Sequence, residues 1–350
     1  MTEGPHAARC PAQDVAPRRR PRRWARLAFA WTALVLVACG EPSTADRLRY
    51  VREGVQDLLH REASPVETRA VALPHRRDRI LPVPDHTIGP FDFLATIGCR
   101  LSEVIAGRNA ALGRVLQPTR RLAHEIDVIR AVETCLPTLG EERAERLSAI
   151  LAAKRDALPR HAWNAIWLDE DLERFLSSGP AALIGGRDPR DGARQLRAAA
   201  SALRARDVDA LEDAFEQLRD DPAAGPRLRA AAAATSELEQ IAGLVASVPV
   251  DRCSAAAREL VRIFTERFVP ARGPLADLDR DVQRLSEGIR AAFEVVEPVE
   301  PSASMREYRA AVGGTEGDPG VAGALRVAIV DHARAWSGVL GACEALPGAS

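Results

Sequence analysis

Two short stretches carry residue types that could hold a ligand. Arg108 and Asn109, in the loop Gly107 to Gly113, join a guanidinium to a side-chain amide, with Arg114 just beyond. Trp163 and Asn164, in Trp163-Asn164-Ala165-Ile166-Trp167, set an amide beside two indoles. Such groups line pockets, yet Asn also bonds turn backbone, and two Trp four residues apart commonly share a buried helix face. Acid–base chemistry has thinner support. Glu125 and the run Asp169-Glu170-Asp171-Glu173 offer paired carboxylates of the kind hydrolysis uses. An acidic run is equally the mark of a helix N-terminus. His124-Glu125 lacks a second His four residues on, so it is no zinc-protease helix. His124 and Asp127 share a helix face but make a poor metal pair, and His332 lies on an apolar stripe and reads as core. With no nucleophile elbow, phosphate loop or dinucleotide fingerprint, the sequence points to no catalytic residue, metal or cofactor.

Cys39 has the most definite chemistry. Six arginines between Arg18 and Arg26 precede the uncharged run Leu27 to Ala38. As a helix that run spans about 18 Å, short of the roughly 30 Å of a bilayer core. A basic stretch, a short apolar run and small residues form an export signal. Leu36-Val37-Ala38-Cys39 looks like the lipobox of bacterial lipoproteins, in which the cysteine thiolate takes a diacylglyceryl group before cleavage. Two or three acyl chains hold a protein on a membrane where one does not. Gly40 after the cysteine favours the outer membrane.

Loss of residues 1–38 leaves 41 basic and 47 acidic side chains, a formal charge of −6. That balance argues against nucleic acid as partner. Four further cysteines, Cys99, Cys135, Cys253 and Cys343, then face an oxidising periplasm, none in C-x-x-C spacing.

Apolar periodicity predicts the elements that position these residues. Ser43 caps a first helix with Leu48, Val51, Val55 and Leu58 on one face. Five prolines from Pro65 to Pro90 then mark an extended segment. Helices are expected over Phe91 to Ala106, ended by Gly107, and over Thr119 to Cys135. Further helices are expected from Glu141 to about Leu158 and across Trp163 to Ser177. After a boundary at Gly179 to Gly192 come Arg194–Arg204, Val208–Leu218 and Arg227–Val248. Next come a helix begun by Cys253, a stripe from Leu275 to Val296, and Val321 to Leu346. Cys99 and Cys135, each 18 residues from Gln117, fall opposite each other if the chain reverses there. Cys253 opens one helix and Cys343 ends another, which pairs them too. The fold class is all-α: a multi-helix bundle with an extended Pro-rich segment near the N-terminus. Its parts are a signal peptide (1–38), tether and first helix (39–64), and two helical subdomains (65–180 and 181–350).

"RRDRILPVPDHTIGPFDFLATIGCRLSEVIAGRNAALGRV", "LAHEIDVIRAVETCL" and "AKRDALPRHAWNAIWLDEDLERFLS" resemble the domain of unknown function 3080 family of proteobacterial lipoproteins. The likeness covers residues 39 to about 180; beyond that only helical character is shared. Where the family pattern reads Arg-Asn-Ser-Ser-Leu-Gly, this chain has Arg108-Asn109-Ala110-Ala111-Leu112-Gly113, which removes any chemistry that used those serines. The resemblance implies a lipoprotein and assigns no activity. The expectation is a non-enzymatic binding or accessory protein, anchored by Cys39 in the outer membrane and facing the periplasm. Its partners would be the membrane, through that lipid, and an envelope protein. Two alternatives stand beside it: a helical carrier of a small molecule or lipid, with a pocket near Asn109 and Trp163, and an envelope hydrolase using Glu125 or Asp169.

Overall fold

The first helix, α1 (Thr44–Leu59), starts at its expected cap. The Ser43 hydroxyl accepts the Asp46 N–H at 3.1 Å, and the Asp46 carboxylate accepts the Ser43 N–H at 3.2 Å. This reciprocal box satisfies two donors that the first turn would leave open. A computed structural model describes residues 42–68, 71–84, 89, 93–94, 96–109, 117–177, 189–219, 224–249, 252–297 and 299–345. The export signal, Cys39, the loop from Ala110 and the boundary around Gly185 lie outside them.

After α1 the described residues of the Pro-rich stretch to residue 84 are non-helical except for one turn, α2 (Arg76–Arg79). The next helix, α3 (Arg100–Asn109), differs from the expected Phe91 to Ala106. Gly98 sits at φ 91°, a left-handed backbone that an α-helix cannot run through, so turns precede the helix. Gly107 lies inside α3 rather than ending it. Then come α4 (Pro118–Cys135) and α5 (Glu141–Trp167). The sequence predicts a break near Leu158, but α5 runs straight past Pro159. Proline removes one N–H and frees the carbonyl four residues back, here that of the exposed Arg155, where water can serve it. One and two turns further on, Trp163, Ile166 and Trp167 are buried and hold the helix down.

The remaining helices are α6 (Glu170–Leu176), α7 (Pro189–Ala205), α8 (Val208–Glu216), α9 (Ala224–Ala246), α10 (Ala255–Ile263), α11 (Arg272–Glu294), α12 (Ala303–Gly313) and α13 (Gly320–Ala342). The helix α12 is not among those the apolar periodicity predicts; Ser302 caps it and Met305, Tyr308 and Val312 bury one face. Between α10 and α11 the chain stays helical through a π turn, Phe264–Phe268, and a 3-10 turn, Val269–Ala271. Pro270 cannot donate to the carbonyl of Glu266, and changing the pitch removes the clash its ring would make in an α-helix. The described residues contain no strand, only an isolated bridge between Thr315 and Asp318. None of the described helices is long and apolar enough to cross a membrane.

Residues 43–350 cluster as one compact unit with two cores. The large core takes side chains from both sides of the expected boundary, from Leu48 and Trp163 to Phe293 and Trp336. Ala-rich α9 packs against α13, α1 and α11. Its start comes so close to α6 that a Cβ on Gly225 would lie 2.1 Å from the Ser177 carbonyl oxygen. The small core joins α3, α4 and the first half of α5 through Leu101, Val128, Val132, Leu147 and Leu151. Each core carries one disulfide, as the sequence predicts. Cys99–Cys135 closes the small core with a Cα separation of 5.9 Å. Cys253–Cys343 ties the start of α10 to the end of α13 at 4.8 Å. Bridges of these loop lengths stabilise a fold by roughly 4 to 5 kcal/mol on a chain-entropy basis.

Candidate functional site

Trp163 and Asn164 work as structural clamps. The Trp163 indole N–H donates to the Arg79 carbonyl at 2.7 Å. The Asn164 amide donates to the Leu81 carbonyl at 2.8 Å and accepts the Leu81 N–H at 2.9 Å. This two-way pairing imitates a β ladder and fixes the Pro-rich strap to α5. Arg79 completes the clamp: its buried guanidinium donates to the Trp167 carbonyl at 2.7 Å and meets Glu173 at 2.6 Å. Arg108 and Asn109 close α3 on the small lobe, and their side chains lie outside the described residues.

Glu125 is buried against Lys154, its carboxylate 2.7 Å from the ammonium. Burial pushes this carboxyl up, but Lys154, with His161 and His124, outweighs it and holds the carboxyl below its ordinary range. Asp169 caps α6, accepting the Asp171 and Leu172 N–H groups at 2.9 and 3.0 Å. Burial pushes its carboxyl up to about 6, although those two hydrogen bonds pull the other way. It faces a polar cleft of about 440 Å³ that also holds Arg76, Arg174 and Arg219. Arg174 and Arg219 are drawn to Asp171, and Arg76 to Glu173, so the charges in this cleft are turned on one another. Among the described residues no group of three His, Cys, Asp or Glu could hold a metal ion.

A second cleft of about 440 Å³ has a different character and lies away from Trp163. One wall is the π turn and the start of α11, with Phe264, Phe268, Leu275 and Ala276; the other is α13, with Ile329, Ala333 and Leu340. Two rings from each side interlock. Phe264 and Phe268 are 5.3 Å apart, Phe264 and Trp336 5.1 Å, and Phe268 and His332 4.4 Å. Gln283 on α11 donates to the Ala322 carbonyl at 3.0 Å, and Arg326 on α13 meets Asp279 at 3.2 Å, so the walls are held apart at a set width. Arg272 and Asp279 are the charged residues of the cleft's lining.

His332 is the polar group of this groove and is only 1% exposed. The Trp336 indole N–H, which can only donate, reaches its Nε2 at 2.9 Å. That assigns the neutral ring proton to Nδ1. Burial pushes the ring down to about 4, so it is uncharged near neutrality. The sequence places His332 on an apolar stripe, and its expected core role holds; Trp336, one turn on, is buried as well. The sequence did not single out Phe264 and Phe268 as site residues, because only the π turn brings them to the α13 stripe.

A family model described as a protein of unknown function (DUF3080) matches residues 49–347. The match runs through the C-terminal half, well past the residues 39 to 180 on which the sequence resemblance rested. No curated protein and no solved structure matches the chain.

Proposed function

The chain belongs to the DUF3080 family, and on that premise we propose that it is a lipid-anchored envelope protein that acts by binding. The anchor reading rests on the lipobox at Cys39 and places the protein on the outer membrane, facing the periplasm. The binding reading is carried by one observation, the open groove in which Phe264, Phe268, His332 and Trp336 interlock. Concave apolar sites of roughly 300–1,000 Å³ with a few fixed polar groups are where small ligands bind. A protein tethered beside a bilayer can shield the apolar part of such a molecule from periplasmic water.

The carboxylates that a hydrolase would need are committed elsewhere, Glu125 to Lys154 and Asp169 to the first turn of α6. An envelope protein partner is the second reading. It is favoured by Val327 and Val330, which are 54% and 43% exposed on α13, the helix that forms one wall of the groove. Native mass spectrometry of the protein taken from its own envelope separates the two. A bound small molecule, lost when the exposed groove residue Ala333 is changed to Trp, is the expected result. A ligand-free protein that crosslinks to a neighbour through Val327 would favour the partner reading instead. Incorporation of labelled palmitate that stops with Cys39→Ala tests the anchor separately.

A further inference from the structure

We propose that the groove takes a small uncharged amphipathic molecule, its apolar body against Phe264, Phe268 and Trp336 and an oxygen acceptor on His332 Nδ1–H. This inference rests on the binding reading above and specifies its ligand. Trp336 occupies Nε2 of His332, and among the described residues no hydrogen bond engages Nδ1. Nδ1 is not among the buried polar atoms left without a partner, so it keeps accessible surface, and it belongs to a side chain that lines the groove. A carbonyl, ester or hydroxyl oxygen from a ligand would satisfy it.

The surroundings argue for an uncharged occupant. The rings beside His332 are apolar, so a charge carried down to Nδ1 would lose hydration there. The one cation and one anion among the groove's lining residues, Arg272 and Asp279, are exposed and half-buried on α11. Asp279 is engaged by Arg326 and Gln283. The volume of about 440 Å³ admits a body of one to three fused rings or a folded short chain, not a protein segment.

The test uses residues 43–350, which form one compact unit with both cores. Three probes of matched shape are titrated: 2-ethylnaphthalene, 2-acetylnaphthalene and 2-naphthoate. The ketone should bind roughly three- to tenfold more tightly than the hydrocarbon, the range expected for one hydrogen bond, and the carboxylate more weakly than the ketone. In His332→Phe, with its melting curve as the folding check, ketone and hydrocarbon should bind alike. A second measurement needs no variant: in histidine-labelled wild type the Nδ1 proton resonance should move downfield with the ketone and stay put with the hydrocarbon. Equal affinities for ketone and hydrocarbon in wild type, an unmoved resonance, or tightest binding by the carboxylate would overturn the inference while leaving a binding groove. Saturable binding of none of the three would overturn the groove reading itself.

Discussion

Lys154 is the only lysine in a chain with 47 arginines, and it is buried where the two cores meet along α5, against Glu125. A buried pair adds little net stability, because both ions lose their water, but breaking it strands a charge. Lys154→Met should therefore cost about 3–5 kcal/mol in urea denaturation, and adding Glu125→Leu should return most of that. If the double variant is no better than the single one, the pair is not what Lys154 provides. His332 makes a pH prediction. In the folded chain it titrates near 4 rather than 6.5, so between those values the unfolded chain binds more protons. Stability is then lost as pH falls from 6.5 towards 4, by on the order of 3 kcal/mol. Asp169 works in the opposite sense. Its raised value gives stability that is present below about 3.8 and lost as pH rises through about 6. Comparison with His332→Phe isolates the first effect: on acidification the wild type should lose stability relative to the variant, and parallel curves would refute it.

Helices and straps show where local signals suffice and where distant partners decide. The cap at Ser43, the stripe from Leu275 to Val296 and the Ala-rich run that becomes α9 are all written locally, and they fold as read. Pro159 misleads because a local rule gives way to the packing of Trp163 and Trp167 in the turns that follow it. Asn164 was legible as a polar residue between two tryptophans. That it clamps Leu81, 83 residues away, was not, since nothing in a backbone strap announces its partner. Asn164→Ala would leave the Leu81 N–H and carbonyl without that partner, at about 1–3 kcal/mol. Faster amide exchange at Leu81 and earlier proteolysis in residues 76–84 are expected, with the groove unaffected; unchanged protection would remove the clamp.

At the scale of the whole molecule, two cores and two cross-links hold the described residues from Ser43 onward in one compact helical unit. The disulfide pairing was readable because helix ends and an expected chain reversal limited which cysteines could meet. The groove was not readable, because it needs two segments far apart in sequence, one of them bent through a π turn, to meet. Replacing both Cys253 and Cys343 by Ala should cost about 4–5 kcal/mol, and replacing both Cys99 and Cys135 about 4 kcal/mol. Non-reduced peptide mapping should recover only those two links; free thiols at those positions would contradict them. That the protein binds an apolar molecule between α13 and the Phe264–Phe268 turn is tested most directly by titrating residues 43–350 with the apolar dye N-phenyl-1-naphthylamine. One saturable site per chain, abolished by Ala333→Trp and retained in Asn164→Ala, is the predicted result. No saturable site, or one that Ala333→Trp leaves intact, would contradict it.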